Sequence, residues 1–159
     1  MYTYVIIDDE PLIRRGTKKK LEPLSHLLTC CGEASDGREG LELVRQLKPD
    51  IVILDMQMPV MDGTELLPAL SEEFPSTALI VISGFQNFDY MKQAISSKVI
   101  DYILKPFSKD EIQQTVLKTI DSLKDKEAED HHLTSMVQEK EEAFYSLDLK
   151  LLTDFLLGY

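Results

Sequence analysis

Five short apolar runs alternate with five stretches of helical spacing, and this alternation limits the folds that the chain can adopt. The apolar runs, which read as buried strands, are Tyr2–Ile7, Leu28–Ala34, Ile51–Leu54, Ala78–Ile82 and Val99–Leu104. The helical stretches are Leu12–Leu21, Gly37–Leu47, Thr64–Phe74, Phe88–Ile95 and one that begins at Lys109. Strands that alternate with helices over short connections form a parallel sheet with helices on both faces. We therefore predict a doubly wound α/β fold on five parallel strands.

One residue conflicts with this pattern. Pro68 lies inside the third helical stretch, where proline removes a backbone hydrogen bond and its ring clashes with the preceding turn. We therefore predict that this helix either starts late or bends at Pro68.

The composition changes near residue 124. The segment Lys124–His132 is polar on every side. A partial heptad follows at Leu133, Val137, Phe144, Leu147 and Leu151, with Lys140 where an apolar residue is expected. We predict one domain at residues 1–123 and a helical segment at residues 124–159 that continues the fifth helix. We also expect a homodimer, for which this segment is one candidate interface.

Charge and cysteine content exclude several classes of protein. The formal net charge of −11 argues against direct contact with nucleic acid, whose phosphates require Lys and Arg. The chain opens without a signal peptide, and its apolar runs are shorter than a membrane span. Cys30 and Cys31 are adjacent and unsuited to a mutual disulfide. We expect a soluble, cytoplasmic protein that contacts no membrane.

Polar residues follow or end four of the five predicted strands. They are Asp8 and Asp9 after the first strand, Asp55 after the third, Ser83 after the fourth and Lys105 after the fifth. The carboxyl ends of parallel strands meet at one edge of the sheet, where ligands bind. Each residue alone fits a turn, a helix cap or a solvated lysine, but four separate strands bring suitable chemistry to one edge.

These side chains suit phosphoryl transfer. Closely packed carboxylates repel each other, and Mg²⁺ relieves the repulsion by accepting carboxylate and carbonyl oxygens as ligands. Asp8, Asp9 and Asp55 are candidate ligands, together with the backbone carbonyl of Gln57. Asp55 is the candidate nucleophile. Lys105 and the Ser83 hydroxyl could bind the phosphoryl oxygens that such a reaction introduces.

Four segments resemble the receiver domains of bacterial two-component response regulators. They are VIIDDEP at Val5–Pro11, IVILDMQMPVMDG at Ile51–Gly63, ISG at Ile82–Gly84 and DYILKPF at Asp101–Phe107. The resemblance covers about residues 3–123. It implies a flavodoxin-like sheet of strand order 2-1-3-4-5, and a sensor histidine kinase as the partner that phosphorylates Asp55.

The resemblance also implies roles for the other site residues. It implies that Mg²⁺ is coordinated by Asp8, Asp9, Asp55 and the Gln57 carbonyl. It also implies that Ser83 and Lys105 bind the phosphoryl group. The peptide bond Lys105-Pro106 is expected to be cis, which aims the lysine inward. Tyr102 falls at the position of an aromatic switch that turns inward on phosphorylation; the alternative is a partly buried tyrosine that does not switch.

The first helical stretch carries the basic residues Arg14, Arg15, Lys18, Lys19 and Lys20. In receiver domains this helix helps to dock the kinase, and the cluster fits either that role or a solvated helix face.

A second resemblance concerns the output. The segment SGFQNFDYMKQAI at Ser83–Ile95 is similar to regulators with a C-terminal AraC-type pair of helix-turn-helix units. It implies transcription regulation through a DNA-binding domain that is absent from this chain, which we expect to be a piece of a longer protein.

Two other functions stay open. A stand-alone phosphorelay or protein-binding module would use the helical segment after residue 124 to dock a partner. A phosphohydrolase with an Asp nucleophile would need a second carboxylate two residues after it, where this chain has Gln57. We therefore expect a switch and not an enzyme.

Overall fold

The computed structural model describes the backbone of residues 1–84 and 87–144, and the side chains of residues 1–84 and 87–128. Its strands are β1 (Tyr2–Ile7), β2 (Leu28–Ala34), β3 (Ile51–Leu54), β4 (Ala78–Ser83) and β5 (Asp101–Leu104). Its helices are α1 (Pro11–Leu21), α2 (Gly37–Leu47), α3 (Gly63–Glu73), α4 (Phe88–Ser96) and α5 (Lys109–Phe144), with a short 3-10 helix at Glu22–Leu24. The chain divides into two units, Met1–Ile120 and Asp121–Tyr159; the first contains the sheet.

The five strands form one parallel sheet in the order β2-β1-β3-β4-β5. The predicted fold class and strand order are therefore confirmed. All four residues of β3 and all six of β4 are buried, as expected for inner strands of a sheet covered on both faces. Because the strands are parallel, their carboxyl ends lie along one edge, and the loops that follow them approach each other.

Helix α2 holds the loop that follows β3. The Gly37 N–H donates a hydrogen bond of 2.9 Å to the Met61 carbonyl. A Cβ atom on Gly37 would lie 2.2 Å from that oxygen, a distance that excludes any larger residue. The β3–α3 loop is thus fixed by a backbone contact that glycine alone allows.

Helix α3 contains Pro68 in its interior. It begins at Gly63 and ends at Glu73, which excludes a late start, the first of the two predicted alternatives. The Asp62 side chain caps the helix by accepting a hydrogen bond of 2.9 Å from the Thr64 N–H, which stabilises the first turn. Pro68 is exposed, whereas Leu66, Leu67 and Leu70 are buried, so packing of the apolar face outweighs the missing hydrogen bond.

Strand β5 begins two residues later than predicted. The N–H of Val99 bonds to the carbonyl of Ala94 at the end of α4, so this apolar residue belongs to the turn and not to the strand. The cis peptide bond predicted for Lys105-Pro106 is present.

Some predictions fall on residues outside the described part of the chain. They are the heptad side chains at Leu133, Val137, Lys140, Phe144, Leu147 and Leu151, and Phe85 and Gln86 of the second resemblance. Within the part that the structure describes, every helix is too short or too polar to cross a lipid bilayer.

Candidate functional site

The carboxyl ends of four adjacent strands bring the predicted polar residues together. Neighbouring strands end in register, since Ile7 pairs with Leu54 and Leu54 pairs with Val81. The next residue after β1 is Asp8 and the next after β3 is Asp55, while Lys105 follows β5. Backbone hydrogen bonds continue past the strands, because the Asp55 N–H donates to the Ile7 carbonyl at 2.9 Å.

Lys105 joins the carboxylates of this edge. Its Nζ atom lies 2.9 Å from Oδ2 of Asp8 and 3.1 Å from Oδ2 of Asp55. A third oxygen, Oε1 of Glu10, lies 3.3 Å away. Asp8 and Asp55 are 2% and 4% exposed, so these ion pairs lie where water screens charge weakly.

The pKa values of the two buried carboxyl groups reflect burial and repulsion. Burial raises the pKa of Asp55 to about 6; Lys105 opposes the increase and the Asp8 carboxylate adds to it. Burial also raises the pKa of Asp8, against hydrogen bonds from Lys105 and the Glu10 N–H. Burial lowers the pKa of Lys105, but its contacts with Asp8 and Asp55 outweigh burial and hold that pKa above its ordinary value.

Four acidic side chains at this edge could hold a metal ion. One carboxylate oxygen from each of Asp8, Asp9, Glu10 and Asp55 lies within 4.8 Å of the others. Hard oxygen donors at this spacing are what Mg²⁺ prefers, and they leave positions open for water and phosphate. Lys105 neutralises only part of this negative charge, so the donor set fits a divalent cation.

An open cavity of about 440 Å³ lies beside these carboxylates. Its lining includes four of the candidate residues, namely Asp9, Asp55, Gln57 and Lys105. The Oδ1 atom of Asp55 accepts a hydrogen bond of 2.8 Å from the Met56 N–H. The Asp55 carboxylate is thus held by the Met56 N–H and by Lys105, and it still lines the open cavity.

Ser83 and Tyr102 lie behind the cavity and not on its lining. Ser83 is 0% exposed, and the neighbouring Gly84 lines the cavity instead. Burial raises the pKa of the Tyr102 phenol, and a hydrogen bond with Ser83 opposes the increase. Tyr102, the predicted switch residue, is therefore hydrogen-bonded to Ser83, which is predicted to bind the phosphoryl group.

Four lining residues were missed from the sequence, namely Glu10, Met58, Asp62 and Tyr90. Glu10 contacts Lys105, and the third acid of the DDE run could have identified it. Asp62 and Tyr90 also line the cavity. Asp62 resembles an ordinary helix cap in the sequence, and Tyr90 comes from α4, whose packing no local pattern predicts.

Comparison with known proteins identifies relatives of this chain. The family model of the response regulator receiver domain matches residues 4–117. The chain is 38% identical over 124 residues to the uncharacterized transcriptional regulatory protein YesN of Bacillus subtilis; the match covers 78% of this chain and 34% of YesN. It is 37% identical over 106 residues to the transcriptional regulatory protein HptR of Staphylococcus aureus; the match covers 67% of this chain and 41% of HptR. The match thus spans well under half of these relatives.

Solved structures share the fold. The REC domain of AraT, a response regulator from Geobacillus stearothermophilus, matches with a TM-score of 0.74 and 33% identity, over 79% of this chain and 98% of that one. The signal receiver domain of the putative response regulator NarL from Mycobacterium tuberculosis matches with a TM-score of 0.68 and 33% identity, over 77% of this chain and 96% of that one.

Proposed function

This chain belongs to the response regulator receiver domain family, and we propose that it is a phosphorylation-controlled switch whose phosphoacceptor is Asp55. One observation carries the proposal: a buried carboxylate lies 3.1 Å from the Lys105 ammonium, beside three further carboxylates and an open cavity. A nucleophile, a fixed cation and a place for a metal are the parts that phosphoryl transfer requires.

The donor is a phosphohistidine on a sensor histidine kinase. A carboxylate oxygen of Asp55 attacks phosphorus while the P–N bond breaks, and the imidazole nitrogen leaves with the electron pair of that bond. Lys105 and the Ser83 hydroxyl stabilise the negative charge on the phosphoryl oxygens. Asp55 must be ionised to attack, so its raised pKa has to be offset by neighbouring positive charge.

Asp8, Asp9 and Asp55 would hold Mg²⁺ together with the Gln57 carbonyl. When bound, the ion supplies positive charge that neutralises the carboxylates and the incoming phosphoryl oxygens. Glu10 contacts Lys105 from the solvent side and is a further acidic group at the same edge.

The contact between Ser83 and Tyr102 carries the switch. When Ser83 turns toward a phosphoryl group on Asp55, its hydrogen bond with Tyr102 is lost and the ring moves inward. The face formed by α4, β5 and α5 then changes shape, which is how a local charge event biases a two-state element.

The output is transcription. The relatives named as transcriptional regulatory proteins are more than twice as long as the match, so we assign DNA binding to a part of the protein outside this chain, of the AraC-type helix-turn-helix class. We assign residues 1–123 to the receiver and residues 124–159 to a helical linker. The protein acts in the cytoplasm as a homodimer and as a signalling module without substrate turnover.

Intact-protein mass spectrometry tests the phosphoacceptor. The full chain is incubated with Mg²⁺ and acetyl phosphate beside Asp55→Asn, which keeps the shape of the side chain and removes its charge. We expect one phosphoryl adduct on the wild type and none on the variant. An adduct on both proteins, or on neither, would contradict the assignment of Asp55.

A further inference from the structure

The basic residues of α1 divide into an inward and an outward group. Arg14, Lys18 and Lys20 each contact another part of the molecule: Arg14 the β1–α1 turn, Lys18 the side chain of Glu33, and Lys20 the carbonyl and ring of Phe107. Arg15 and Lys19 are exposed. Three of the five basic residues of α1 therefore make contacts within the molecule.

Arg14 makes the contact nearest to the site. Its Nη1 atom donates a hydrogen bond of 2.6 Å to the backbone carbonyl of Asp8. Its Nε atom lies 3.3 Å from Oε1 of Glu33 on the edge strand β2, an ion-pair contact in which Nε donates no hydrogen bond, and the side chain is 18% exposed. Lys18 Nζ lies 2.7 Å from the other Glu33 oxygen, so Glu33 is held from two sides and in turn holds the guanidinium.

The location of Arg14 in α1 favours a specific role. It is the fourth residue of the helix, which has no acidic residue in its first turn. A cation near a helix N-terminus is disfavoured by the helix dipole. Burial of the guanidinium adds a further cost, so its contacts with Asp8 and Glu33 must offset both.

The Asp8 carbonyl controls the orientation of the neighbouring acid. A peptide unit is planar, so a fixed carbonyl oxygen fixes the plane that joins Asp8 to Asp9. Two further polar groups of this turn make hydrogen bonds: the Asp8 N–H donates to the Ala34 carbonyl at 3.0 Å, and the Glu10 N–H donates to Asp8 Oδ1 at 2.9 Å. Arg14 binds the Asp8 carbonyl and so constrains the peptide plane that leads to Asp9.

We propose that Arg14 is a positioning residue of the phosphoacceptor site, which fixes the Asp8–Asp9 peptide plane and so preorganises both carboxylates for a divalent cation. This inference rests on the proposed function of the site. Groups that orient metal ligands without touching the metal commonly change metal affinity by 10-fold to 100-fold.

Titration calorimetry with MgCl2 and no phosphoryl donor tests this role on the full chain. We expect Arg14→Gln to bind Mg²⁺ about 10-fold more weakly than the wild type. Arg14→Lys should be intermediate, because one ammonium cannot replace a fork that binds a carbonyl and a carboxylate together. The matched control is Arg15→Gln, an exposed neighbour on the same helix, which should bind Mg²⁺ like the wild type. Equal affinity of Arg14→Gln and Arg15→Gln would overturn the proposal.

Thermal unfolding without Mg²⁺ shows whether each variant is folded. If Arg14→Gln is not, Glu33→Gln replaces it, because this change removes the ion pair that holds the guanidinium and leaves the Asp8 carbonyl intact. We expect weaker Mg²⁺ binding for Glu33→Gln as well, and unchanged affinity would overturn the proposal. A wild type that binds Mg²⁺ but takes no phosphoryl group would defeat the proposed function, whereas normal phosphorylation with unaltered Mg²⁺ binding by Arg14→Gln would defeat only the positioning role.

Discussion

At the scale of single residues, the fold opposes the ionised form of Asp55 that phosphoryl transfer requires. The carboxyl group is buried beside a second carboxylate, and its pKa is raised to about 6, compared with about 3.9 for an unfolded aspartate. The folded state therefore binds this proton more tightly than the unfolded state does. The stability that Asp55 contributes is present below about pH 4 and is lost as the pH rises through 6.

This shift predicts a pH-dependent gain from Asp55→Asn. With a chelator present, we expect the variant to exceed the wild type in free energy of unfolding by about 1–3 kcal/mol at neutral pH, and by much less near pH 4. Urea titrations between these limits measure the difference. Asp121→Asn, at an exposed position of α5, is the control and should show no such trend. A gain that is constant across pH would contradict the raised pKa.

The sequence predicted the site residues that stand at strand ends, because parallel strands carry them to one edge whatever the details of packing. Glu10 was missed because a third acid before a helix fits an ordinary first turn. The contacts of Tyr90 and Arg14 could not be predicted from the sequence for another reason. Their contacts depend on how α4 and α1 lie against the sheet, which periodicity does not specify.

At the scale of single elements, α3 shows packing that overrides local preference. Pro68 lies in the interior of the helix, where proline is disfavoured by about 3 kcal/mol relative to alanine. The helix persists because its leucines are buried and Asp62 caps its first turn. The bounds of β1, β2 and β3 matched the prediction. Strands β1 and β3 are continuous β-branched or apolar runs, whereas Val99 is an apolar residue that packs against the core from a turn.

Replacing Pro68 should therefore stabilise the protein. We expect Pro68→Ala to raise the free energy of unfolding by about 1 kcal/mol, because the restored N–H bond exceeds the entropy that the unfolded chain regains. Chemical denaturation measures the change. Pro75→Ala, in the turn after α3, should have the opposite sign, since there only the unfolded-state entropy changes. A loss of stability in Pro68→Ala would mean that the proline is needed where it is.

At the scale of the whole molecule, net charge and the acidic edge act together. The formal charge of −11 means that acidic groups repel each other in the compact folded state. Salt reduces this repulsion, because the Debye length falls from about 10 Å at 0.1 M to about 3 Å at 1 M. The stabilisation that comes from screening of the net charge should therefore be separable from the stabilisation that comes from Mg²⁺ binding at the acidic edge.

We expect MgCl2 to stabilise the protein more than NaCl of equal ionic strength. At an Mg²⁺ concentration 100 times its dissociation constant, the additional free energy of unfolding is about 2.7 kcal/mol. Differential scanning calorimetry in the two salts measures it. In Asp9→Asn the advantage of Mg²⁺ should fall steeply while the response to NaCl persists. Equal responses to both salts in the wild type would argue against a metal site.

The site is assembled from residues that lie far apart along the chain and meet only where parallel strands end. Asp8 is among the first residues to be synthesised, and Lys105 is added after the fourth helix is complete. During translation the acidic edge therefore lacks its cation until β5 has emerged and paired with β4. A chain that ends before Lys105 has the carboxylates but lacks the lysine, so the proposed phosphoacceptor site exists only in molecules whose sheet is fully formed.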